Sequence, residues 1–250
     1  MSDALELAKR ALQHFNEGST DRAPSQMRIP LSAYTDESRF QAEREAVFFD
    51  SPIAVALSLE LPESGDFQTQ TIMGVPLLLT RDRDGTAHCF INVCRHRGTE
   101  LVPLEEPGPV IGRFSSSIVC PYHAWTYNLD GGLRGAPAMG LNSGFCKDQY
   151  RLPQVRCEEW LGWVFVCLDA ETPPVRETLR DVEAMVAGYD MTNYTETFYE
   201  EHVWDTNWKV LAENFMESYH LPVCHAQTVG ALSRLEDMVC PPGLPGFNYH

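Results

Sequence analysis

The sequence contains no run of eighteen consecutive apolar residues, so it offers no membrane-crossing helix. Its opening, MSDALELAKR, lacks the basic-then-apolar order of a secretory leader. Neither export nor a membrane partner is expected, and the cytoplasm is the expected compartment. Positive charge is scarce: 19 Lys and Arg stand against 35 Asp and Glu, a formal net charge of −16. Nucleic acid and anionic membrane surfaces need clustered cations to release counterions, so neither is expected as a partner. Internal repeats and low-complexity tracts are also lacking. What is present is a chain of 250 residues, 44% apolar, enough for one large or two modest domains with real cores. Its eight cysteines, without a leader, point to reduced thiols and metal chemistry rather than a disulfide framework. Cys167, inside GWVFVCL, reads as a small core residue.

Stretches of different character follow one another. SDALELAKRALQHFNEG places Leu5, Ala8, Leu12 and Phe15 at helical spacing, with Ser2 as a cap and Gly18 as a stop. A second helix is predicted over residues 36–48, capped by Thr35 and burying Phe40, Val47 and Phe48. From Pro52 to Leu168 come short β-rich runs, IAVALSLE, QTQTIM, VPLLLTR, HCFIN, SSIVC, AWTYN, VRCEEW and GWVFVCL, broken by Gly, Pro and Asp. They predict an all-β domain, with NLDGG at 128–132 as a tight hairpin turn. In ETPPVRETLRDVEAMVAGYD, Thr172 is expected to cap a helix opened by Pro173, with Val175, Leu179, Val182 and Val186 as its stripe. After the strand-like TETFYEEHVW, a helix is predicted over 207–221, ended or bent by Pro222. The domain reading is therefore a helical extension over 1–33, a β domain over 34–168 and a further domain over 169–250.

Two loops of the β domain each pair a cysteine with a histidine: CRHRG places Cys94 two residues before His96, and CPYHAW places Cys120 three before His123. Such a set can hold one zinc ion as a Cys2His2 staple, or a [2Fe–2S] cluster in which both cysteines bind one iron and both histidines the other. Zinc sites favour Cys-x-x-Cys knuckles and helical histidine pairs. Mixed pairs on two hairpin loops, the second opened by Cys-Pro, favour the cluster.

NVCRHRGTELV and CPYHAWTYNLDG resemble the Rieske domain of the ring-hydroxylating, non-haem iron oxygenases, and the likeness extends over most of residues 34–250. The resemblance implies an α+β fold, with an all-β Rieske domain followed by the first part of a helix-grip-like catalytic domain. It also implies that Cys94, His96, Cys120 and His123 hold a [2Fe–2S] Rieske cluster. Two neutral imidazoles in place of two thiolates raise the potential of such a cluster. The respiratory type carries an extra cysteine in each loop, joined as a disulfide; the corresponding places here are Thr99 and Tyr122, which favours the oxygenase or ferredoxin type. Twenty-three residues separate His96 from Cys120, more than the family usually has, and the excess fits EEPGPVIGRF, expected to be a longer loop. Arg95, Arg97 and Trp125 are candidates for packing over the cluster or docking an electron donor.

Downstream, Asn214, Glu217 and His220 are spaced by three and would share a helix face, with His225 five residues on, past Pro222. Two histidines and a carboxylate are the makings of a 2-His-1-carboxylate iron site. NWKVLAENFMESYHLPVCH also resembles the catalytic signature of the same family. The resemblance implies His220 and His225 as ligands of a mononuclear Fe(II). It makes Glu217 a bridge to a neighbouring subunit's Rieske histidine, Asn214 a neighbour of the iron and Tyr219 a packing or hydrogen-bonding residue. The family's third ligand is a carboxylate far downstream. Glu236 and Asp237 lie too near to match it, and the 250 residues read as the N-terminal part of an oxygenase α subunit.

The implied enzyme is a terminal oxygenase component. A separate reductase of flavin or ferredoxin type, fed by NAD(P)H, supplies electrons; O2 and a small organic molecule are the substrates, and the assembly is a head-to-tail homotrimer. Glu217 stands where aromatic-ring dioxygenases usually have Asp, as in relatives that oxidise carnitine, choline or glycine betaine. Hydroxylation or N-demethylation of a quaternary-ammonium compound is therefore the expected activity, with an aromatic-ring dioxygenase as the alternative. From other classes, a non-catalytic Rieske electron carrier and a zinc-stapled interaction module are the rivals.

Overall fold

The computed structural model describes every residue except 1, 105–107, 142–143, 196–197, 199, 235, 237, 244–245 and 249–250. Along the chain the helices are α1 (Ser2–Glu17), α2 (Ser32–Thr35), α3 (Glu37–Glu43), α4 (Val175–Thr178), α5 (Arg180–Val186), α6 (Trp208–Phe215) and α7 (Leu221–Cys224). The strands are β1 (Ile53–Leu57), β2 (Asp66–Ile72), β3 (Val75–Arg81), β4 (Ala87–Ile91), β5 (Ile111–Arg113), β6 (Ile118–Val119), β7 (Thr126–Tyr127), β8 (Leu133–Gly135), β9 (Gln154–Trp160) and β10 (Trp163–Cys167). The chain folds as two compact units, one made of Gln41–His202 and the other of Met1–Phe40 with Val203–His250.

In the central unit, seven strands form an antiparallel sheet in the order β1-β10-β9-β4-β3-β2-β5, and a small sheet runs β6-β7-β8. β3 explains why both faces of the large sheet are dry. Side chains alternate along a strand, so Leu77 and Leu79 point one way, into a cluster with Cys89, Val164 and Val166. Leu78 points the other way, with Phe90, into a cluster holding Cys94, Ile118, Cys120, Trp125 and Tyr127. Each fully buried leucine contributes roughly 1.5–3 kcal/mol. The second cluster is the floor beneath both ligand loops.

NLDGG forms the expected hairpin turn between β7 and β8. The amide of Asn128 donates to the Gly132 carbonyl at 2.8 Å, and the Asp130 carboxylate accepts from the Gly132 amide at 2.9 Å. Gly131 sits at φ +81°, and a Cβ there would lie 2.4 Å from the Phe90 ring, so both conformation and space demand glycine.

Several local expectations are corrected. EEPGPVIGRF is not wholly loop: Ile111–Arg113 pairs with β2 as the last strand of the sheet. The second helix, expected over 36–48, is divided into α3 and a π-helical turn over Arg44–Phe49, and a separate turn, α2, precedes it. Asp36, not Thr35, caps α3 through a 2.9 Å bond from the Arg39 amide, and Val47 is exposed. Thr172 does not cap α4, because two prolines intervene. The Glu158 carboxylate of β9 takes that place, accepting from the Val175 amide at 3.0 Å. Val175, Leu179 and Val182 do form the buried stripe, packed on Trp160 and Phe165. The described part of TETFYEEHVW contains no strand.

In the other unit, α1 forms as expected and ends at Gly18, φ +59°. Tyr34 ties α2 to α6: its hydroxyl donates to both oxygens of Glu213, at 3.0 and 2.9 Å, and its carbonyl accepts from the Asn207 side chain at 3.1 Å. Asn207 also caps α6 by accepting from the Lys209 amide at 3.1 Å.

Candidate metal centre

The two ligand loops share one backbone design. The amide of Cys94 donates to the carbonyl of Thr99, five residues on, and the amide of Gly98, four on, donates back to the Cys94 carbonyl, at 2.8 and 2.9 Å. The amides of Cys120 and Ala124 do the same with Trp125 and Cys120, at 2.8 and 3.1 Å. In both loops the fourth residue is left-handed, Gly98 at φ +72° and Ala124 at φ +53°. The repeated closure turns each cysteine inward and each histidine outward. Cys94 and Cys120 are each 3% exposed, whereas His96 and His123 stand at the surface.

The four side chains meet as two pairs. Cys94 and Cys120 are hydrogen-bond neighbours and carry no disulfide. The rings of His96 and His123 lie 4.7 Å apart, centroid to centroid. Among the described residues, no three His, Cys, Asp or Glu side chains gather around one point. A binuclear cluster asks for pairs rather than triplets, and thiols inside with imidazoles outside is the donor order a Rieske cluster needs.

The surroundings hold these groups in place. Trp125, 3% exposed, stacks on the His96 ring at 4.9 Å with 4° between planes, and is wedged by Phe145 and Tyr150. Tyr127, fully buried, places its hydroxyl 3.2 Å from the Cys94 sulfur and accepts from the Arg95 amide at 3.1 Å. Asn92, also fully buried, ties the first loop to its exit by bonding both the carbonyl and the amide of Val102, at 2.6 and 3.1 Å. Burial pushes the Cys94 thiol up, against the Tyr127 hydroxyl and the His96 amide, which favour the thiolate. Loss of hydration, helped by His123 and Arg97, lowers the His96 pKa and favours the neutral imidazole that a metal requires. Tyr127 and Asn92 escaped the sequence reading, because nothing in their spacing sets them apart from ordinary core and turn residues.

The second candidate set departs from its expected frame. α6 stops at Phe215, six residues before the predicted end, so Asn214, Glu217 and His220 do not share a helix face. Two features cause the break. A proline ring clashes with the carbonyl four residues earlier, so a helix cannot run unbroken from Ser218 through Pro222. The Glu217 carboxylate meanwhile captures the amides of Tyr219 and His220, the latter at 3.2 Å. Pro222 therefore lies in the first turn of α7 instead of ending α6.

The break still joins most of the set. Glu217 Oε1 is hydrogen-bonded to His220 Nδ1, and the His220 and His225 rings are 5.4 Å apart. Partial burial works to raise the Glu217 pKa, but the His220 ring and the two amides outweigh it, and the carboxyl titrates below its ordinary value. An ionised carboxylate only accepts, so His220 Nδ1 is the donor in this bond and Nε2 is the ring nitrogen turned away from Glu217. Asn214, exposed on α6, lies upstream of the break. Glu236 belongs to no three-ligand group among the described residues, and Asp237 lies outside them.

A family model for the Rieske [2Fe-2S] domain matches residues 51–150, and one for the ring hydroxylating alpha subunit catalytic domain matches residues 156–244. Over these two matches the chain is similar to the Rieske-type oxygenase α subunits. It is 36% identical over 199 residues to the carnitine monooxygenase oxygenase subunit of Escherichia coli, covering 79% of this chain and 52% of that protein. It is 30% identical over 247 residues to the glycine betaine monooxygenase oxygenase subunit of Pseudomonas aeruginosa, covering 99% of this chain and 55% of the relative. The crystal structure of the quaternary ammonium Rieske monooxygenase CntA in complex with L-carnitine superimposes with a TM-score of 0.72 at 31% identity, covering 80% of this chain and 55% of that one. The chain thus spans about half the length of the curated relatives it matches. Among the described residues, no helix is long and apolar enough to cross a membrane.

Proposed function

We propose that the protein is the terminal oxygenase component of a quaternary-ammonium monooxygenase or N-demethylase. It takes electrons from a separate NAD(P)H-fed reductase of flavin or ferredoxin type and uses O2 to hydroxylate or demethylate its substrate. Residues 34–168 would serve as the Rieske domain and 169–250 as a part of the catalytic domain, working in a head-to-tail homotrimer. The observation that carries the reading is the sorting of donors: two buried thiols behind two surface imidazoles, together with a His220–His225 pair in which His220 is hydrogen-bonded to Glu217.

In this reading Cys94 and Cys120 hold one iron of a [2Fe–2S] cluster and His96 and His123 the other, while His220 and His225 hold a mononuclear iron. When bound, the cluster supplies one-electron transfer and the mononuclear iron supplies O2 activation. The chain's own residues set the stage. The exposed edge of His96 and His123 offers electrons a short path to a partner surface, and Trp125 keeps the His96 ring from turning. Glu217 holds the proton of His220 at Nδ1 and, as an ionised carboxylate at the surface, is suited to accept a hydrogen bond from a neighbouring subunit's histidine. Glu217 in place of Asp, and the relatives named above, favour quaternary-ammonium substrates over aromatic ones.

The test is turnover of the full-length protein with a reductase, offered L-carnitine, glycine betaine and aromatic acids in parallel. Product from a quaternary-ammonium compound is the expected result. Product from aromatic acids alone would overturn the substrate class, and undiminished turnover in His220→Ala and His225→Ala would overturn the site.

A further inference from the structure

Gly230 lies five residues beyond His225, and nothing in its spacing suggests a role. Its surroundings do. A Cβ built on Gly230 would lie 2.0 Å from the Leu221 carbonyl oxygen and 2.7 Å from both the carbonyl carbon and oxygen of His225. Such distances cannot be relieved by a flexible side chain, because every atom met is backbone. The chain therefore folds back on itself here, and only a residue without a side chain allows it.

Hydrogen bonds close the same fold. The His225 carbonyl accepts from the amides of Thr228 and Gly230, each at 2.9 Å, while the His225 amide donates to the Leu221 carbonyl at 3.0 Å. The backbone of His225 is thus gripped at both ends, and Gly230 touches both grips. His220 is held separately, by Glu217. The 5.4 Å between the two rings therefore depends on two independent clamps, one of which is Gly230.

We propose that Gly230 is a positioning residue for His225: by letting the backbone close over residues 221–225, it sets the distance between the two imidazoles and hence the metal affinity of the pair. The inference rests on the reading of His220 and His225 as metal ligands. A side chain at position 230 pushes the His225 carbonyl away and turns its ring out of register with His220.

The experiment uses the full-length protein and Fe(II) binding, followed by anaerobic titration and metal analysis, with the Rieske absorbance recorded in the same samples. Gly230→Ala is compared with Gly188→Ala, where a Cβ meets nothing within 4 Å. Gly230→Ala should lose on the order of 10- to 100-fold in Fe(II) affinity, the usual effect of removing a ligand's support, with the cluster spectrum unchanged. Gly188→Ala should bind as the wild type does. Equal affinity in all three proteins would overturn the inference alone. A wild type that binds no Fe(II) beyond the cluster would overturn the ligand reading and the inference with it. Should Gly230→Ala fail to fold, amide exchange in the wild type decides: loading Fe(II) should slow exchange at residues 228 and 230, and unchanged rates would count against the clamp.

Discussion

Ala124 and Gly98 occupy the same left-handed place in two equivalent loops, and the difference between them is measurable. An L-residue there carries a cost of about 1–2 kcal/mol that glycine avoids, less what glycine loses in chain entropy. Ala124→Gly should therefore raise stability by up to about 1 kcal/mol. Gly98→Ala should lower it by about 1 kcal/mol, although a Cβ at Gly98 meets no atom within 4 Å. Thermal denaturation of the two variants checks the pair. Tyr127 gives a second test: its hydroxyl serves the Cys94 sulfur and the Arg95 amide from a fully buried position. In Tyr127→Phe the amide is left without a partner, a loss of about 1–3 kcal/mol. Hydrogen bonds to cluster sulfurs raise the reduction potential, so the variant's potential should fall in a redox titration. The candidate ligands stood out by spacing, because Cys-x-His and Cys-Pro-x-His are rare combinations. Of the residues that surround them, Trp125 was named from its place in CPYHAW, whereas Tyr127 and Asn92 act through contacts that only the folded chain makes.

At the level of elements, interactions from distant parts of the chain decided where helices begin and end. Glu158 on β9 caps α4, so Glu158→Ala should cost about 1 kcal/mol, readable as a lower midpoint in urea. Thr172 looked like the cap because it precedes the helix, but a cap supplied by a strand leaves no local signal. The same holds for β5 and β8, three residues each, which are strands because β2 and β7 offer them edges. The long strands were legible, as VPLLLTR and GWVFVCL are continuous apolar runs between breakers. The premature end of α6 was partly written in Pro222, but the capture of two amides by Glu217 was not. Arg81 on β3 and Glu159 on β9 add a dependence on pH. Burial works to raise the Glu159 pKa, yet the two hydrogen bonds from Arg81, at 2.7 and 2.9 Å, a bond from Ser58 and the guanidinium charge carry it below its ordinary 4.5. A folded-state pKa below the unfolded one stabilises the fold above pH 4.5, and that stabilisation disappears as pH falls through the lower value. The Tm difference between wild type and Glu159→Gln should accordingly shrink on acidification below about pH 4.5.

For the whole molecule, fold class could be read from the sequence, because β-rich patterning and the two Cys/His loops speak locally. Substrate could not, since it rests on one residue, Glu217, and on the names of relatives of which this chain spans about half. The central claim is that Cys94, His96, Cys120 and His123 hold a Rieske cluster. Visible absorption and low-temperature EPR of the purified chain, as isolated and after dithionite reduction, test it most directly. The account predicts a red-brown protein containing iron and acid-labile sulfide, whose reduced form shows the low average g value of a histidine-ligated [2Fe–2S] cluster. A colourless protein that contains zinc would contradict it and would leave the two loops as a structural staple.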